Sequence, residues 1–168
     1  MTSKRLQQAG FTQIELMITV AIAAILGSIA VSSMRDYTRR ARISEVVLAT
    51  NTCKGVVTEN YLLRDEAPDA GTWGCEAATG ATAYAGAVQT SSDGVIRVAI
   101  TNMDGLVNGQ HVYLVPMLSD ETSPMVTPDH LGRSVGVWLC GSDWKPVRNA
   151  LPANCRADTT SYSSQTFN

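Results

Sequence analysis

The sequence predicts an α+β protein: a long N-terminal α-helix, apolar in its first half and amphipathic in its second, packed on a three- or four-stranded antiparallel sheet. Three observations predict it. Leu16 to Met34 carries no charged residue at all. Arg35 to Leu63 lacks Pro, and Ile43, Val46, Cys53, Val57 and Tyr61 recur at spacings of three and four residues, with Thr50 filling the gap. After residue 94 the period falls to two, with Ile96, Val98 and Ile100 on one face and Arg97 and Thr101 on the other.

The uncharged run has 19 residues. At 1.5 Å per residue it spans about 28 Å, the thickness of a bilayer's hydrocarbon core. A secretory signal peptide has a similar composition: Lys4 and Arg5 precede the run, and Ala30 and Ser32 fit an A-x-S cleavage site. Two features argue against removal there. Glu15 lies near the start of the run, where an acid costs about 2–3 kcal/mol in lipid and normally has a partner. Moreover, the helical pattern continues past Met34 instead of stopping. Both segments read as one helix from about Phe11 to Leu63, on the order of 80 Å long. Its second half can pack on a domain, whereas its first half needs lipid or other copies of itself.

The whole chain has 168 residues, 13 Lys plus Arg against 15 Asp plus Glu, 45% hydrophobic and 17% charged. That length suits one domain with an appendage. A near-neutral balance excludes a strongly basic nucleic-acid binder and an acidic tail protein, and the apolar content excludes disorder throughout. The charge is unevenly placed. Residues 35–64 hold six basic and three acidic groups, and residues 66–168 hold five basic and ten acidic. Basic helix and acidic head are complementary, which suits association between copies.

Downstream, residues 65–93 are rich in Ala, Gly and Thr and read as a loop connecting helix and sheet. Strands are expected at Val95–Thr101, His111–Met117 and Ser134–Cys140, with a turn at Asn102-Met103-Asp104-Gly105. The segments are therefore 1–10, 11–34, 35–64, 65–93, 94–142 and 143–168. Four Cys in an exported chain favour disulfides. No C-x-x-C occurs and His111 and His130 are scattered, so no metal or other cofactor is expected. No nucleophile–base pair, phosphate loop or paired catalytic carboxylates occur either, so no enzyme is expected.

Gly10 followed by Phe11-Thr12-Gln13-Ile14-Glu15-Leu16-Met17-Ile18 resembles the class III signal of type IV pilins, G|FTxIELMI. Asp36-Tyr37-Thr38, Arg40-Ala41 and Ser44-Glu45 resemble that family's DYTxRAxxSE stretch. The close match covers about 40 residues. It implies that prepilin peptidase removes residues 1–10 by cutting between Gly10 and Phe11, and that Phe11 is N-methylated. Glu15 would then meet the amine of a neighbouring subunit, since two charges costly alone become tolerable when paired in a low-dielectric bundle. Arg40 is the arginine whose motif position best supports a role in assembly. Where the family commonly has Leu, Gly, Pro and Tyr, this chain has Gln13, Ala24, Ser32 and Met34, so no sharp helix bend is expected.

Leu151-Pro152-Ala153-Asn154-Cys155 also resembles type IV pilins, where a C-terminal disulfide loop forms an exposed edge. The resemblance implies Cys140–Cys155, leaving Cys53 to pair with Cys75. The leading expectation is a structural subunit of a surface filament, serving adhesion, twitching motility or DNA uptake. Its partners would be copies of itself, prepilin peptidase, the inner-membrane pilus assembly machinery and, before assembly, the membrane, with the head in the periplasm. The alternatives are a minor or competence pilin that binds DNA through Lys145, Arg148 and Arg156, and a type II secretion pseudopilin. A net charge of −5 on the head weighs against DNA.

Overall fold

A computed structural model describes residues 10–168, the side chain of Ser32 excepted; residues 1–9, with Lys4 and Arg5 of the expected leader 1–10, lie outside the described residues. The elements are α1 (Gln13–Leu63), β1 (Ala85–Thr90), β2 (Ile96–Ile100), β3 (His111–Met117), β4 (Val137–Ser142), α2 (Lys145–Ala150) and β5 (Ala157–Asp158). Two 3-10 turns, Ala153–Cys155 and Thr160–Tyr162, flank β5. The chain divides into two units, Met1–Tyr37 and Thr38–Asn168.

The first unit is helical from Gln13. Its large apolar side chains, from Phe11 to Met34, are 53% to 79% exposed. Hydroxyls in this apolar stretch bond to their own helix: Thr19 Oγ1 donates to the Leu16 carbonyl at 2.9 Å and Ser28 Oγ to that of Ile25 at 2.8 Å. Such bonds satisfy a polar side chain where no water is at hand. The helix is unbroken through Gly27, Ser28 and Ser33.

In the second unit the rest of α1 covers one face of the sheet. Ile43, Val46, Thr50, Cys53, Val57 and Tyr61 are all 0% exposed, so the stripe read from the spacing is the buried face without exception. Opposite it lie Ile96, Val98 and Ile100 of β2 and Val112 and Leu114 of β3, as a period of two requires.

The sheet differs from expectation in three ways. It has five strands rather than three or four, ordered β1-β2-β3-β4-β5, and the last pair is parallel. The additional β1, Ala-Gly-Ala-Val-Gln-Thr, lies inside the segment 65–93 read as a loop. Its small residues have low intrinsic strand preference and are held by pairing with β2 (Val88 opposite Val98, Thr90 opposite Ile96). The third expected strand also moves, from Ser134–Cys140 to Val137–Ser142. Gly141 sits so close to the Ala157 backbone that a side chain there would prevent β4 and β5 from pairing.

The sheet's other face carries a second cluster of Val95, Tyr113, Val115 and Met117, covered by Phe167 and flanked by Tyr162. The Arg97 guanidinium lies 4.1 Å from the Phe167 ring centre. The sheet is thus enclosed by α1 on one side and by the C-terminal segment on the other. Gly94, in the β1–β2 turn, has φ of +68°, and a Cβ there would come within 2.9 Å of Val57 and 3.0 Å of Trp73. Only glycine meets both demands at that approach.

Candidate assembly sites

At the N-terminal end, Thr12 caps α1. Its Oγ1 accepts the Glu15 N–H at 3.3 Å and donates to Glu15 Oε2 at 3.4 Å, and its carbonyl accepts the Leu16 N–H at 3.2 Å. A threonine at N-cap with a glutamate three residues on is a variant of the capping box. Glu15 therefore has a role within its own chain, at the positive end of the helix dipole, that a reading as an intersubunit charge left out. The Thr-x-x-Glu spacing in Thr12-Gln13-Ile14-Glu15 was the available signal. Gly10 and Phe11 precede the helix and are both exposed.

The arginines that follow Met34 separate into different environments. Arg39 Nε meets Asp104 Oδ2 at 2.6 Å, tying α1 to the β2–β3 loop. The Arg42 guanidinium lies 5.0 Å above the Tyr84 ring. Arg40 has an exposed side chain, although its carbonyl accepts the Ser44 hydroxyl at 3.0 Å. Two of the four arginines thus hold the head to its own helix, while Arg40 remains available at the surface.

Both disulfides, Cys53–Cys75 and Cys140–Cys155, are present, with Cα separations of 5.0 and 4.4 Å. Cys75 sits in a tight turn organised by Glu76. That carboxylate accepts N–H bonds from Trp73 at 2.8 Å, Gly74 at 2.8 Å and Cys75 at 3.0 Å, and a hydroxyl bond from Thr90. Burial opposes its ionisation most strongly, but the bonds from Thr90 and the turn's N–H groups together hold it below the usual carboxylate range. Trp73, in a segment read as loop, is 1% exposed. Its indole N–H donates to the Ser91 carbonyl at 2.8 Å, and its ring lies 5.3 Å from Tyr61. A tryptophan beside a half-cystine was the clue that this segment belongs to the core.

Two of the three basic residues considered for DNA are bonded within the head. Arg148 donates to the carbonyls of Ser142 at 2.9 Å and Asp143 at 3.1 Å and pairs with Asp158 at 3.1 Å. Arg156 Nε donates to the Leu151 carbonyl at 2.8 Å. Only Lys145 lacks a partner among the described residues. The histidines serve locally. His130 Nδ1 accepts the Val126 N–H at 2.9 Å. His111 is half-buried, and burial first, then Arg97, lowers its basicity.

Residues 39–156 match the family model described as pilin (bacterial filament), and residues 5–31 match the prokaryotic N-terminal methylation motif. The fimbrial protein EcpC of Eikenella corrodens is 37% identical over 170 residues, covering 91% of this chain and 94% of that one. A Pseudomonas aeruginosa fimbrial protein is 30% identical over 165 residues, covering 88% and 96% respectively. A Neisseria meningitidis serogroup B fimbrial protein is 49% identical over 61 residues, so the match spans only 36% of either chain. The family model covers most of the head and the methylation motif covers the start of α1. The chain belongs to the pilin family.

Proposed function

We propose that this chain is the structural subunit of a type IV pilus. The observation that carries the reading is the first unit: a helix whose large apolar side chains all remain exposed, from Phe11 at 79% to Met34 at 73%. A folded head beside such a helix calls for a surrounding that hides it, first lipid and then the helices of other copies. Cleavage after Gly10 creates an amine on Phe11, and N-methylation leaves that amine positive. Glu15 lies one turn on, so its carboxylate is placed to meet a neighbour's amine once the Thr12 hydroxyl releases it. With little hydrophobic drive between helices in lipid, one charge pair can set the axial register. Arg40 supplies a surface cation for contact between heads. Before assembly the apolar half spans the inner membrane with the head in the periplasm.

Intact mass and N-terminal sequencing of native material test the processing. A chain that starts at methylated Phe11 and carries two disulfides is expected, and a start at Ser33 would overturn the reading. For assembly, Glu15→Gln should still insert in the membrane but reduce filament yield at least tenfold, measured by quantifying sheared filaments. Normal yield from that variant would remove the charge pair from the mechanism.

A further inference from the structure

Two features of the head place apolar side chains at its surface. The first is a protrusion. Trp144, at the start of α2, is 48% exposed, and Leu106, at the tip of the β2–β3 loop, is 60% exposed. The Trp144 indole N–H donates to the Leu106 backbone carbonyl at 3.2 Å, so the tryptophan ring is fixed against the loop that carries Leu106, and the two form one knob. Tryptophan in such a position is the residue most enriched among interface anchors. Lys145 lies beside it, exposed and without a partner among the described residues.

The second feature is a groove of about 380 Å³ between α1 and the segment around Cys75–Thr82. Leu48, Ala49, Ala77 and Val88 give it a largely apolar lining, to which Glu45 adds a carboxylate. Leu48 is 66% exposed. Glu45 forms no ion pair with any described residue. The groove adjoins β1, at one edge of the sheet, whereas the knob joins the β2–β3 loop to the start of α2. None of Trp144, Leu106 and Lys145 lines the groove of its own copy.

We propose that the knob of one copy, Trp144 with Leu106, seats in the groove of the next copy, with Lys145 facing Glu45. A knob on one surface and its receptor on another make a head-to-tail contact. Such a contact builds an open helical filament when the rotation does not close into a ring. The contact is apolar at its centre and charged at its edge, as stable interfaces are. It names the surfaces by which heads meet and so rests on the polymer reading above.

The test uses full-length chains in assembled filaments. Trp144→p-benzoylphenylalanine, irradiated and mapped by peptide mass spectrometry, should link position 144 to residues 45–52 or 75–88 of a second copy. Links confined to other surfaces, in filaments that still form, would overturn the inference and leave the polymer reading intact. Charge exchange provides a second measure that does not depend on the aromatic ring. Lys145→Glu and Glu45→Lys should each lower filament yield about tenfold, and the double variant should recover to within about twofold of the parent. Unchanged single variants, or no recovery in the double, also overturn it. Failure of the unmodified chain to form filaments would overturn the polymer reading and this contact with it.

Discussion

One helix runs through both units, yet its two halves obey different rules. Between Leu16 and Met34 apolar residues occur on every side and none is buried; between Ile43 and Tyr61 one stripe, Ile43, Val46, Cys53, Val57 and Tyr61, is fully buried while Leu48, off the stripe, is exposed. Helix propensity is similar in the two halves, so the backbone does not distinguish them. What differs is the surrounding for which each is composed. A stripe is a commitment to one partner surface, already supplied by β2 and β3. An all-round apolar cylinder is a commitment to a medium, lipid or other helices, that a single chain lacks.

The sharpest way to break this comparison is to place the same charge in each half. Val57→Asp puts an unpaired carboxylate into the core and should cost at least about 4 kcal/mol, enough to unfold the head. Val20→Asp should leave the head's thermal midpoint in detergent unchanged while reducing membrane retention. Equal loss of head stability in both variants would show that the halves are not independent. Next in size is the disulfide between Cys140 and Cys155, which encloses a sequence separation of 15 residues. Replacing both with Ser should cost the head about 3 kcal/mol in denaturant unfolding and leave membrane insertion as it was. Gly94→Ala should follow at about 2 kcal/mol, because it forces φ of +68° on an L side chain and crowds Val57 and Trp73.

The smallest effect is a pH dependence confined to the head. Glu76 has a folded value lowered from its ordinary 4.5, so the folded state binds its proton less readily than the unfolded chain. Its contribution is complete above pH 4.5 and fades as the pH falls through the lower folded value. Thermal midpoints of the parent should therefore drop more steeply below pH 4.5 than those of Glu76→Gln.

The helix was legible because its signals are local and periodic: an uncharged run, then a stripe whose members all prove buried. β2 was legible for the same reason, since Ile96, Val98 and Ile100 alternate with polar or small neighbours. β1 was not, because Ala85-Gly86-Ala87-Val88 has no strong preference and becomes a strand through pairing with β2 and burial under α1. Trp73 and Phe167 were missed as core residues for a related reason. Each packs against residues distant in the chain, and neither belongs to a periodic segment. At the candidate assembly site the motif pointed to Glu15 and Arg40. It singled out Arg40 by motif position but gave no sign of the pairing of Arg39 with Asp104, which depends on where the β2–β3 loop folds. Equally, the basic residues Lys145, Arg148 and Arg156 are legible in the sequence only as charges; that Arg148 and Arg156 also bond to backbone carbonyls depends on how α2 and the turn after it fold.

The buried stripe begins at Ile43, and the pair formed by Arg39 with Asp104 lies just before it. Those two facts mark where the chain can be severed. A cut just ahead of Thr38 removes the whole greasy cylinder and leaves every core side chain, both cystines and the Arg39 clasp with the head. A cut ten residues later would discard Ile43 and Val46 and open the floor of the core. The protein thus has a seam inside a continuous helix, placed by the first side chain that the sheet claims and invisible in the backbone itself.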